Sequence, residues 1–135
     1  GVKYYNDSIA SSPTRTALGT LSLYSRKICI IAGGYDKHIP YEPLGPVIND
    51  KVKLLILLGD TAPKIEKAVK EASNYDADEI EIVNVTNMEE AVAVARERST
   101  KGDIVSLSPA SASFGLYKNF EERGNHFKSI VNALK

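Results

Sequence analysis

The sequence carries one cysteine, two histidines and no excess of either charge, since seventeen basic side chains face seventeen acidic ones. The lone cysteine, Cys29, lies inside an apolar run, excludes an intrachain disulfide and fits a reducing compartment, so the expected location is the cytoplasm. The charge balance leaves no global field to recruit nucleic acid or an anionic membrane surface, and any partner must be recognised locally. His38 and His126 stand far apart, with no metal-ligand spacing to cysteine or acidic residues; solvated side chains and no metal site are expected. No apolar run approaches the roughly 20 residues of a membrane helix. The N-terminus has no signal-peptide pattern, and neither a low-complexity linker nor an internal repeat interrupts the chain.

What is present is a chain of 135 residues, 43% hydrophobic and 25% charged, enough for one domain with a real core. It begins at Gly1 rather than Met and enters a strand almost at once, as expected of a piece of a longer protein.

Short β-rich runs alternate with helical windows. "VKYYND" reads as a first strand, and Ser12 with Pro13 as the N-cap and first position of a helix running through Ala17, Leu18 and Leu21. "KICIIAGG" and "VKLLILLGD" are near-continuous apolar runs that suit parallel strands buried on both faces. From Thr61, the residues Ile65, Ala68, Val69 and Ala72 form one helical stripe, and its lysines face the other way. Asn87 and Glu90 make a capping-box-like start for a second stripe of Met88, Ala91, Val92 and Ala95. "EIEIV" and "DIVSLS" read as further strands, and Phe127, Ile130, Val131 and Leu134 as a closing amphipathic helix. Strands separated by helices of this length imply right-handed crossovers. The expected fold is α/β: a Rossmann-like, doubly wound, mostly parallel sheet with helices on both faces.

In such sheets ligands bind beyond the carboxyl ends of the strands. Four loops meet that condition: "NDSIASSPT" at 6–14, "GGYDKHIPYEP" at 33–43, "GDTAP" at 59–63, and the serine-rich stretch after "DIVSL". The first and last lead into helix N-termini, which favour anions, and the second carries Lys37 just past a Gly-Gly turn. Together they supply donors for carboxylate or phosphate. Each also has an ordinary reading: Ser108, Ser111 and Ser113 as turn residues, Lys37 as a solvated surface lysine. "GGYDK" lacks the third glycine of a dinucleotide fingerprint, and no P-loop spacing occurs. Asp7, Asp36 and Asp60 at strand ends suggest a phospho-acceptor receiver domain, but its acidic pair and final lysine are missing.

"NDSIASSPT", "AGGYDK" and "LSPASASFGLYKNFEERG", in this order and at these separations, resemble the C-terminal domain of the Mur ligases, and within them the D-glutamate-adding branch. The resemblance runs from about Tyr4 to Leu134, and the serine loop with "KNFEERG" is its most specific portion. It implies a three-domain ATP-dependent ligase of which this chain, 1–135, is the third domain, the N-terminal UDP-sugar domain and the central ATP-binding domain lying outside it. The implied reaction adds D-glutamate to UDP-N-acetylmuramoyl-L-alanine through an acyl phosphate. ATP and Mg²⁺ are implied for the full-length enzyme, held mainly by the central domain, and a monomer is expected. Carried over by position, Lys37, assisted by Ser11, pairs with one glutamate carboxylate. Ser113 and the backbone N–H of Phe120 grip the other, and Asp7 faces the nucleotide. One departure stands out: the familiar first motif reads D-S-K-A-T-N, whereas here Ile9 replaces its lysine and Ser11 and Ser12 its Thr-Asn pair. Lys37 beside a carboxylate stays a cation and binds rather than accepting a proton, so no catalytic base is expected here and the domain alone should be inactive. The alternatives are another Mur ligase or a folylpolyglutamate-type ligase with a different acceptor, and a stand-alone α/β module that binds a small anion or a protein.

Overall fold

In the computed structural model, residues 3–6, 27–34, 40–99, 102–107 and 120–133 are described. The strands are β1 (Lys3–Asn6), β2 (Ile28–Ala32), β3 (Val52–Leu57), β4 (Glu81–Asn84) and β5 (Ile104–Leu107). The helices are α1 (Leu44–Lys51), α2 (Ala62–Glu71), α3 (Met88–Arg98) and α4 (Phe120–Asn132). The strands form one five-stranded sheet in the order β1-β5-β2-β3-β4, every pair parallel.

At the centre, every residue of β2 is buried, as the unbroken apolar run "ICIIA" requires of a strand covered on both faces. Ile28, Ile30 and Ala32 enter one core with Val52, Leu55 and Leu57 of β3, under Leu44 and Ile48 of α1 and Ile65 and Val69 of α2. Cys29 and Ile31 enter the other with Leu54, Ile56 and Leu107, under Met88, Ala91, Val92 and Ala95 of α3 and Phe127 of α4. Each Ile or Leu removed from water this way contributes roughly 1.5–3 kcal/mol. One irregularity resets the alternation: Ile28 pairs with Val52 but Cys29 with Leu54, so Lys53 is the extra residue of a bulge. Its ammonium leaves both cores and pairs with Asp103.

The winding follows from handedness. From β2 through α1 to β3 and through α2 to β4 the chain moves outward with both helices over one face. It then returns through α3 to β5, between β1 and β2, and the reversed direction puts α3 on the opposite face, as a crossover of constant hand demands. The expected doubly wound α/β fold is thus observed, with the sheet parallel throughout the described strands.

Local sequence explains the helix ends. Asn87 caps α3 by accepting the Glu90 N–H at 2.8 Å, while the Glu90 carboxylate takes the Thr86 hydroxyl at 3.3 Å. Glu89 and Glu90 in the first turn and Arg96 and Arg98 in the last complement the helix dipole. Arg98 also pairs with Glu81 of the edge strand β4. The Nε2 of His126, on α4, meets Glu89 Oε1 at 2.7 Å across the α3–α4 contact, so this expected solvated histidine is half-buried and engaged. The stripe on α2 stops one residue early, since Ala72 is already extended. "EIEIV" is shifted, the strand running from Glu81 to Asn84. The expected helix from Ser12 and Pro13, and Leu134, lie outside the described residues.

Helix α1 carries no periodic signal long enough to announce it, and packing explains its presence. Pro46 falls in its first turn, where a missing N–H costs nothing. Gly45 lets α1 touch α2: a Cβ there would stand 2.1 Å from the carbonyl oxygen of Ala68. Beside this contact, the Asn49 amide donates to Val69 O at 2.9 Å and to Asn74 Oδ1 at 3.1 Å. Asn74 in turn donates to Pro46 O at 2.9 Å. A prediction follows from backbone atoms that have nowhere to go. Gly45→Ala should cost about 1–3 kcal/mol or more of unfolding free energy, read as a lower urea midpoint at unchanged slope. Lys70→Ala, on the exposed side of α2, should leave the midpoint nearly where it was.

Candidate functional site

The strand order decides where a ligand can sit. Leu107, the last residue of β5, is level with Asn6, the last of β1, and with Ile31 near the end of β2. Adjacent strands lie about 4.8 Å apart, so the chain leaves the sheet at three points within about 10 Å of one another. They open the stretches 7–14, 108–119 and 33–43. The chain after β2 goes to α1 over one face and that after β5 to α4 over the other. The position between the ends of β5 and β2 is therefore a topological switch point, where open α/β sheets form their ligand crevice.

Of the residues named from the sequence, Asp7, Ser11, Lys37 and Ser113 lie outside the described residues. Phe120 opens α4. A helix with these bounds leaves the Phe120 N–H without an intrahelical acceptor, which suits a carboxylate oxygen. Three residues on, Arg123 is 3% exposed and engaged within the fold. Its signal in the sequence is a lone arginine among the first two turns of a helix otherwise acidic at its start.

Of the Lys37 stretch, 33–43, the described residues are Gly33 and Gly34 at its start and 40–43 at its end, and the first two are its foundation. Gly33 has φ +111°, and a Cβ on it would stand 1.9 Å from Leu58 O. Gly59, with φ +83°, presses on Gly34 from the next turn, its Cβ position being 2.8 Å from Gly34 Cα. Only glycines allow these turns to lie back to back. They are also bonded: Leu58 N–H donates to Ala32 O at 3.1 Å and Thr61 N–H to Gly34 O at 3.0 Å. Gly34 N–H donates to Thr61 Oγ1 at 2.9 Å. The "GDTAP" stretch, expected as one of the ligand-facing loops, therefore buries Thr61 completely as a buttress, while Gly59 and Asp60 stay exposed.

Two groups of the sheet, Cys29 on central β2 and Tyr4 on outer β1, are unfit for acid–base or nucleophilic work. Burial, reinforced by the negative charge of Asp103, pushes the Cys29 thiol up to about 11. Burial likewise raises the Tyr4 phenol, against a weaker opposing pull from Arg96. Both are protonated at neutral pH. A cavity of about 390 Å³ lies between Pro40, Tyr41 and Glu42 and the α2 residues Lys64, Lys67, Ala68 and Glu71. Pro40, Tyr41 and Glu42 belong to the 33–43 stretch, and none of the described lining comes from β1, β5 or β2. Among the described residues no three His, Cys, Asp or Glu side chains gather as metal ligands, and no helix is long and apolar enough to cross a membrane. The sequence has no P-loop spacing.

A family model described as "Mur ligase, glutamate ligase domain" matches residues 1–111. A protein of Acetivibrio thermocellus named "UDP-N-acetylmuramoylalanine--D-glutamate ligase" is 58% identical over 137 residues, covering 100% of this chain and 29% of its own length. A protein of the same name from Clostridium botulinum (strain Okra) is 58% identical over 134 residues, covering 99% of this chain and 29% of its own length. The chain thus spans under a third of these relatives.

The thiol offers a check on the core. The folded chain should resist alkylation of Cys29 at pH 8, and urea should expose it to stoichiometric labelling. Because folding raises this pKa, the stabilisation from keeping the thiol neutral is complete below the ordinary value near 9 and is lost as pH rises towards about 11. Cys29→Ala should flatten that alkaline loss in a series of urea melts.

Proposed function

The chain belongs to the Mur ligase family, and we propose that it is the C-terminal, amino-acid-binding domain of a cytoplasmic ligase that joins D-glutamate to UDP-N-acetylmuramoyl-L-alanine in peptidoglycan precursor synthesis. The names of its relatives support the reaction, and their greater length supports UDP-sugar and ATP-binding domains outside residues 1–135. The observation that carries the reading is the crevice at β1, β5 and β2. The stretches bearing Ser11, Ser113 and Lys37 begin where these three neighbouring strands end.

The chemistry needs what such a crevice supplies. ATP converts the terminal carboxylate of the UDP-linked substrate to an acyl phosphate and leaves as ADP. The amine of D-glutamate attacks the acyl carbon, a tetrahedral intermediate forms, the C–O bond to phosphate breaks, and the amine gives up a proton as the amide is made. The domain's share is to hold the amine in line. Lys37, with Ser11 beside it, binds one carboxylate of D-glutamate. Ser113 and the Phe120 N–H bind the other, and Asp7 faces the nucleotide. Fixing a dianion at both ends converts a collision into an oriented attack. Lys37 acts as a cation, because a neighbouring carboxylate favours its charged form. ATP and Mg²⁺ belong to the central domain, and the enzyme works as a monomer.

The full-length enzyme should release phosphate from ATP only when the UDP-linked substrate and D-glutamate are both present, and residues 1–135 alone should release none. Lys37→Ala should raise the D-glutamate KM by about ten- to a hundredfold, the equivalent of one charge-assisted hydrogen bond, while the KM for ATP stays put. Preference for another amino acid, or an unmoved D-glutamate KM, would sink the assignment.

A further inference from the structure

Thr61 occupies the N-cap of α2, yet its side chain does not cap that helix. Such a residue ordinarily satisfies one of the first amides of its own helix. Here its oxygen accepts the Gly34 N–H at 2.9 Å, and its own N–H donates to Gly34 O at 3.0 Å. Both polar backbone groups of Gly34 are therefore held by one residue, itself 0% exposed. Leu58 and Gly59 close on the same turn, leaving Gly33 and Gly34 no room to shift. Residues 35–39, Lys37 among them, continue directly from this point. A swing of the Gly34 peptide would change the direction in which the chain enters residues 35–39.

We propose that Thr61 is a positioning residue for the amino-acid substrate: by gripping Gly34 from both sides it sets the direction in which the chain carrying Lys37 leaves β2, and so the affinity for a substrate carboxylate. This rests on the ligase reading above. Thr61 itself touches no substrate. The side-chain half of the grip is separable from the backbone half, because Thr61→Val keeps the N–H and nearly the same shape but leaves the Gly34 N–H without its acceptor, whereas Thr61→Ser keeps the oxygen.

The test compares the two variants in the full-length enzyme. Thr61→Val should raise the D-glutamate KM about tenfold, from one lost buried hydrogen bond. The KM values for ATP and for the UDP-linked substrate should hold within about twofold, inside the usual scatter of a neutral substitution. Thr61→Ser should restore the wild-type D-glutamate KM. Amide exchange gives a readout independent of turnover: the Gly34 N–H should lose protection in Thr61→Val and regain it in Thr61→Ser. An unchanged D-glutamate KM in Thr61→Val, or a common rise of all three KM values with a falling melting temperature, would overturn the proposal. If the wild-type enzyme turns over a different amino acid, the D-glutamate reading fails instead. The same comparison made with that amino acid then decides the role of Thr61.

Discussion

Everything in this fold hangs on β2 being paired on both edges and covered on both faces. Its alternating residues must feed two separate cores, and that requirement calls up one helix layer from α1 and α2 and another from α3 and α4. With β3 on one side and β5 on the other, the chain must reverse its direction of travel across the sheet. The reversal makes the switch point, and the switch point gathers widely separated stretches of sequence. Switch point and core are therefore consequences of one buried strand.

The turns behind that strand convert position into orientation. Parallel strands end together, but a strand end fixes only where a loop begins. The back-to-back glycine turns and the two-way exchange between Gly34 and Thr61 also fix how the loop after β2 starts out. Two of the contacts are bonds from backbone to backbone, which constrain the path whatever side chains surround it. The opposite helix layer handles its own ends differently, with Asn87 capping α3 and an ion pair tying Arg98 to the β4 edge.

Elements whose signal is local were legible in the sequence. "KICIIAGG" and "VKLLILLGD" announce buried strands because both faces are apolar, and Asn87 announces a helix because the amide donor it caps lies three residues away. Where the decisive contact is distant in sequence, legibility stops. The edge strand β4 starts two residues later and ends one later than expected because an edge is less strictly apolar. Helix α1 stayed hidden because its warrant is the approach of Gly45 to Ala68 and the reach of Asn49 to Asn74. Thr61 read as a residue at a helix start, and its bond to a glycine 27 positions earlier has no local trace. At the site, the crevice followed from strand order, whereas the roles of Lys37, Ser11 and Ser113 came from resemblance, since a serine-rich turn looks alike whether or not it binds anything.

Among the described strands, β1 has β5 as its partner, and β5 is the last strand to be made. During synthesis, then, the opening strand must wait for nearly the whole chain before it has an edge to join. Until β5 slots between them, β1 and β2 are separate pieces, and the crevice between their ends does not exist. An N-terminal segment thus becomes anchored through residues about a hundred positions later. Anything joined ahead of β1 is coupled to the completion of the sheet, so an unfinished or shortened chain loses its attachment to the sheet and the switch point in the same event.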